Sequence, residues 1–256
     1  MSDEPIRRSD PSDLARGGQA RPLPKRFYKD VTVEARGGGY AVHLDGRPLR
    51  TPNKLVLVLP TARMATAIAE EWDAQREHID PMSMPLTRLA NSVRDQVEGR
   101  EPQVRADIVK YAGSDLLCYR ADGPSELAAA QAAAWDPILD WARESMGADL
   151  AVCTGLMPVG QSDASRGAVE AAVAPLESFQ LASAHVMTTL LGSVVLMLAV
   201  QAGHLTPEDA WKAAHIDEDW QVTKWGADAE ATRRQENRKT EFLAAVRLSR
   251  LVDEPA

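Results

Sequence analysis

Polar and apolar positions along residues 26–59 follow a period of two, the pattern of half-buried strands. Phe27, Val31 and Val33 share one parity, with Lys29 as the exception, while Asp30, Thr32 and Glu34 take the other. Gly37, Gly38 and Gly39 mark a turn, after which Tyr40, Val42 and Leu44 alternate with Ala41, His43 and Asp45. Asp45-Gly46 is a strong hairpin signal, because both residue types tolerate positive φ. The chain breaks again at Thr51-Pro52, and the run LVLVL over 55–59 reads as a buried strand. These segments predict a small antiparallel meander. Thr61 is placed to cap a helix reaching about Glu77, in which Met64, Ala65, Ile68, Ala69 and Trp72 fall on one face. A bare meander is marginal in water, so this helix is expected to cover one face of the sheet.

Beyond Pro81 the period turns helical. Helices are predicted over 86–97, 102–112, 125–146, 166–176, 181–202, 207–214, 217–225 and 228–251. Two short apolar runs, 116–119 and 150–154, read as strands able to extend the N-terminal sheet. The apolar run over 181–202 is punctuated by Ser183, His185, Thr188, Thr189, Ser193 and Gln201. A membrane span needs about 20 predominantly apolar residues, so a central core helix fits better. The expected fold is α+β: a small N-terminal antiparallel β-rich domain with one covering helix, residues 26–82, then a larger α-helical domain, residues 83–256. Residues 1–25 are rich in Pro, Gly, Ser, Arg and Asp without apolar periodicity, the composition of a disordered tail.

Of 256 residues, 45% are hydrophobic and 26% charged, as in ordinary globular proteins. The formal net charge of −8 disfavours phosphate backbones and anionic lipid as partners, and keeps a free monomer in solution. Nucleic acid and membrane insertion are therefore not expected. The two cysteines, Cys118 and Cys153, lie in no paired motif and among apolar neighbours, which suits buried thiols in a reducing compartment. Acids at positions 3, 4, 10 and 13 interrupt the N-terminal arginines, unlike a transit peptide. A bacterial cytoplasm is the expected location.

No catalytic signature stands out. The chain has neither a phosphate-cradling loop ending in Lys-Ser/Thr nor a Gly-x-Ser-x-Gly elbow, and Gly37 to Gly39 precede a strand rather than a helix. The five histidines are His43, His78, His185, His204 and His215, none at ligand spacing from another or from a cysteine, so no metal and no cofactor are expected. Two clusters remain. EEWDAQ over 70–75 reads as an amphipathic helix anchored by Trp72. In HIDEDWQVTKWGAD over 215–228, Asp217, Glu218 and Asp219 precede Trp220, Gln221 and Trp225. As plain structure this is a helix start: Asp217 caps, the acids complement the macrodipole, Gly226 stops the helix and Asp228 caps the next. As a site, acids beside tryptophans suit a protein-binding patch, because aromatics anchor interfaces and charges set their register.

The ordered series RFYKDVTV, LDGRPLRTP, LPTARMATAIAEEWDAQ, MPLTRLANSVRD, SDLLCYRA, QAAAWDPILDW, LLGSVVLMLAV and AAHIDEDWQVTKWGAD resembles the ATP synthase assembly factors that chaperone the alpha subunit of the F-type ATPase head. The resemblance runs from about Arg26 to Leu251. It implies a β-rich N-terminal domain, a helical C-terminal domain, and a non-enzymatic chaperone that holds unassembled alpha subunit and hands it to beta. The family's acidic position in D-E-x-x-Q-x-x-x-W-G maps to Glu218, and its tryptophan in E-W-D-x-Q maps to Trp72. Expected partner-binding residues are Asp217, Glu218, Asp219, Gln221 and Trp225, with Trp72 structural. The alternatives are a small-ligand-binding protein with an interdomain pocket and an enzyme with a Cys–His or carboxylate site.

Overall fold

The structure, a computed structural model, describes residues 22–253 apart from 156 and 158. Most of the expected tail, residues 1–21, lies outside the described residues. The end of that tail is ordered by pairing, contrary to expectation: Ile79 N donates to Pro24 O at 2.8 Å, and Lys25 bridges His78.

β1 (Val31–Arg36), β2 (Gly39–Leu44) and β3 (Arg47–Pro48) form an antiparallel sheet in that order. The register pairs Val31 with Leu44 and Arg36 with Gly39, leaving a two-residue loop whose Gly37 and Gly38 have φ of 59° and 83°. Asp45 and Gly46, at φ 48° and 74°, close the second hairpin as expected. The Asp45 carboxylate accepts from Lys29 N and Asp30 N at 3.0 and 2.9 Å, tying the lead-in of β1 to that turn. Phe27 does not join the buried face: it precedes the strand and is 73% exposed. The LVLVL run is not a regular strand. Leu59 bridges Tyr40 and Val56 bridges Arg50 across irregular backbone, which buries Leu57 and Leu59 fully but leaves Leu55 exposed.

α1 (Ala62–Asp73) starts at Thr61, whose side chain accepts from Met64 N, and buries Met64, Ala65, Ala67 and Ile68 against β1 and β2. It stops short of Glu77 because Ala74 caps it and the chain turns back. The helices that follow are α2 (Pro85–Ser92), continued by a π turn at Val93–Val97, α3 (Glu101–Lys110), α4 (Ser125–Met146) and α5 (Asp163–Val173). After these come α6 (Ser178–Leu191), α7 (Val194–Gln201), α8 (Pro207–Ala214), α9 (Ile216–Trp225) and α10 (Ala229–Asp253). The single helix expected over 181–202 is two: Gly192 at φ 66° closes α6 and the Ser193 hydroxyl caps α7. Among the described residues no helix is long and apolar enough to cross a membrane. Of the two extra strands, residues 116–118 are a 3₁₀ turn, and β4 (Tyr119–Arg120) pairs in parallel with β5 (Cys153–Thr154) as a separate sheet.

One continuous apolar cluster joins sheet and helices, from Leu57 and Ile68 through Leu86 to Leu181, Val195 and Phe242. α6 and α7 lie at its centre, which explains why they are apolar nearly all round. α10 lays its second half along α6, burying Phe242, Ala245 and Leu248. Its first half carries almost wholly exposed side chains.

Candidate partner-binding site

Most of the distinctive sequence motifs are engaged inside the fold. In EEWDAQ, the Glu71 carboxylate accepts from Leu86 N and Thr87 N, both at 2.8 Å, and from the Thr87 hydroxyl at 2.7 Å. It thereby caps α2, whose own N-cap residue Met84 offers no side-chain acceptor. Burial raises the Glu71 pKa and these bonds oppose the rise. Trp72 is half-buried with its ring edge-to-face on Tyr28 at 5.7 Å, and the Tyr28 hydroxyl donates to Trp72 O at 2.7 Å. Asp73 pairs with Arg26. Gln75 is buried, donating to Ser83 Oγ and accepting from Asp80 N. In SDLL, the wholly buried Asp115 carboxyl accepts from Leu117 N at 3.0 Å and Val195 N at 3.1 Å, capping α7 from across the chain. Burial pushes its pKa up to about 6, against bonds from Ser193, Leu117, Val195 and Val194. In QAAAWDP, Gln131 accepts from Ala121 N, the Trp135 indole donates to Ala213 O at 2.7 Å, and Asp136 pairs with Arg120.

α9 differs. Its N-cap is His215, not Asp217 as expected from the sequence, and His215 offers no side-chain cap to the helix. Asp217 turns inward instead, accepting from Gln131 Nε2 at 2.7 Å, so that one acid of the three anchors α9 to α4. Glu218 and Asp219 are exposed, and neither side chain has an ion pair or hydrogen bond among the described residues. Gln221 is exposed, Val222 is 46% exposed and Trp225 83%. Trp220 is half-buried, with the Lys224 ammonium 5.5 Å from its ring centroid. Gly226, at φ 87°, ends α9, and Asp228 Oδ1 accepts from Glu230 N at the start of α10, both as expected.

Between α9 and α10 lies a groove of about 390 Å³. Glu218, Val222 and Trp225 line one wall, Arg234 and Arg238 the other, and His215 also lines it. The sequence reading named Glu218, Gln221 and Trp225 but missed Val222, His215 and the α10 wall. The spacing of 218, 222 and 225 was the available signal, since residues three and four apart share a helix face.

The thiols are unlike an activated nucleophile. Burial, aided by the neighbouring Asp115 carboxyl, pushes Cys118 up to about 12. Cys153 is only half-buried, not buried as expected, because β5 is short and its thiol reaches out to Met157 O at 3.3 Å. Among the described residues neither thiol hydrogen-bonds a histidine. No group of three His, Cys, Asp or Glu among the described residues could hold a metal ion.

The fold is shared with solved structures. Crystallised Atp12 from Paracoccus denitrificans is 43% identical, over 90% of this chain and 98% of that one, with a TM-score of 0.85. A structure from Agrobacterium tumefaciens is 41% identical over 96% of this chain and 92% of that one, with a TM-score of 0.88. The mitochondrial Atp12 protein of Schizosaccharomyces pombe is 23% identical over 91% of this chain and 86% of its own length. Residues 25–143 match the family model described as ATP12 chaperone protein. Fold, motif order and relatives together define an assembly chaperone. The chain belongs to the ATP12 chaperone family, the ATP synthase assembly factors.

Proposed function

We propose that this protein binds the unassembled alpha subunit of F-type ATP synthase, keeps it from aggregating, and releases it to the beta subunit as the catalytic head forms. The observation that carries the reading is the contrast within the recognisable motifs. Those elsewhere are engaged in internal bonds, whereas α9 presents Glu218, Asp219, Gln221 and Trp225 outward, with no partner for the two acids among the described residues. Asp217 supports that display by fixing α9 to α4, and Trp72 belongs to the scaffold. Obligate subunit interfaces bury about 2,000–5,000 Å² and resemble a core cut in half. An alpha subunit alone exposes such a surface and is prone to aggregate. A holdase that binds it less tightly than beta does needs no nucleotide energy, because differential affinity drives the exchange. The protein is on this reading not an enzyme, needs no cofactor, is monomeric when free, and works in the bacterial cytoplasm. The β-rich part over 26–82 then serves chiefly as support for the helical part that carries the site.

The test is co-expression with the alpha subunit of the same organism, followed by pull-down. Glu218 is exposed and unpaired, so Glu218→Lys should keep a near-normal melting temperature. Losing one first-turn acid costs only about 0.3–1 kcal/mol, whereas a close interfacial charge pair contributes about 1.5–7 kcal/mol. The variant should therefore leave alpha insoluble. Equal protection by variant and wild type would sink the assignment of Glu218, and absence of any wild-type complex would sink the function.

A further inference from the structure

We infer that Gln131 of α4 is a positioning residue for capture of the alpha subunit: it sets how α9 stands out from the fold, and Asp217 is the latch it holds rather than a contact for the captured subunit. This rests on the reading of α9 as the partner site and assigns what keeps that site in place. Isolated helices shorter than about 12–15 residues are marginal in water, and α9 has ten. It buries none of them, and only Ile216, Asp217 and Trp220 are half-buried. Of these three, Ile216 packs against the apolar core. Apolar burial therefore gives α9 a narrow footing, and its direction depends on the polar bond in its first turn.

That bond is built as a clamp. Gln131 is 1% exposed, so it acts from beneath the surface. Its Oε1 accepts from Ala121 N at 2.8 Å, and its Nε2 donates to Asp217 Oδ1 at 2.7 Å. A backbone N–H only donates, so the amide oxygen must face Ala121 and the amide nitrogen must face α9. The Ala121 side is itself fixed. Arg120 O accepts from Gly155 N at 2.8 Å, and the Arg120 guanidinium pairs with Asp136 and lies 4.9 Å from the Trp135 ring centroid. One turn after Gln131, the Trp135 indole donates to Ala213 O at 2.7 Å. Positions 131 and 135 of α4 thus hold 217 and 213, four apart on each side, and grip the corner between α8 and α9. A supporting shell of this kind decides how precisely an exposed site is presented.

The test compares variants of the intact protein by the concentration that keeps half of the denatured alpha subunit soluble on dilution, well below each variant's melting midpoint. Asp217→Asn removes the charge but keeps an oxygen for Gln131 Nε2, and should stay within about twofold of wild type. Asp217→Ala and Gln131→Met each break the clamp and should need about tenfold more protein, as expected for one buried hydrogen bond. Combined, they should be no worse than Gln131→Met alone, because the same bond is lost in each. Hydrogen exchange should quicken in α9 and stay slow in α6 and α7, a pattern that general destabilisation would not give. Asp217→Asn as poor as Asp217→Ala would make Asp217 a charged contact and overturn the proposal. Clamp-breaking variants that protect alpha as well as wild type does, or additive losses in the double variant, would overturn it too. In those three cases capture by wild type still stands, whereas failure of wild type to protect alpha would remove the function and this role with it.

Discussion

Asp115 is the most informative single position in the scaffold, because its carboxyl is 0% exposed and holds two segments far apart in sequence. Asp115→Ala would strip the acceptor from Leu117 N and Val195 N and the partner from the Ser193 hydroxyl. Each buried orphan costs about 1–3 kcal/mol, so the loss for the three should reach about 3–9 kcal/mol. That is a large share of a total stability of about 5–15 kcal/mol. At about 2–4 °C per kcal/mol for a chain of this size, the melting temperature should fall by roughly 6–36 °C. Asp115→Asn keeps one acceptor oxygen and should lie between. The pH dependence separates shape from charge. The folded pKa, pushed up to about 6 by burial, exceeds the ordinary value of 3.8, so between those two values the folded state holds a proton that the unfolded chain has released. Stability from this group is thus fully present below about pH 3.8 and is lost as pH rises through about 6. Asparagine cannot titrate. The melting-temperature gap between wild type and Asp115→Asn should therefore narrow from pH 4.5 to pH 7.5, with other titrations cancelling in the difference. A gap that widens with pH would refute the reasoning. It would show that the backbone donors at the start of α7 hold the carboxylate ionised more strongly than burial opposes it.

Glu71→Ala should cost about 1–3 kcal/mol by uncapping α2, seen as a lower midpoint in urea; an unchanged midpoint would mean that water replaces the carboxylate. Gly39→Ala should destabilise by a similar or larger amount, because an added Cβ would meet Leu59 O at 2.4 Å and press apart the bridge at Tyr40; a normal melting curve would show that the bridge yields cheaply.

What the sequence made legible follows from where the signals sit. α4 and α8 were predicted with their observed bounds, since Pro124-Ser125 and Thr206-Pro207 are local start signals and Gly147 a local stop. The break between α6 and α7 was missed because residues buried on every side have no polar face to interrupt. Gly192-Ser193 was the cue, a left-handed glycine followed by a capping serine. β4 and β5 were misjudged because parallel pairing of two-residue strands leaves no periodicity to read. In the candidate site, the acids and Trp225 were visible from the local motif and the family resemblance. The inward turn of Asp217 was not, because its partner Gln131 is 86 residues away. The same holds for Asp115 and Val195, 80 residues apart. Long-range polar clamps carry no local signature, so the partners that hold the family motifs inside the fold could not be read from the motifs themselves.

In the first turn of α9, scaffold and candidate site share one segment. A helix N-terminus carries a positive partial charge equivalent to roughly half an elementary charge. One acid meets that need, and Asp217 also bonds Gln131, so it answers the local demand. Glu218 and Asp219 are surplus to the helix and lie one after the other on its exposed side. Adjacent like charges repel, and their repulsion is relieved when a cation binds. Because the acids stand in water, their attraction to a partner is shaped by salt and by how far binding excludes solvent. A loosely covered pair is worth little and a closed one much more. On the proposed reading of α9 as the partner site, an element held there would be gripped firmly only while water is kept from Glu218. Any competitor that draws that element away lets water return to Glu218, and the remaining grip weakens. Reversible holding of this kind suits a chaperone that must surrender its client without a chemical step.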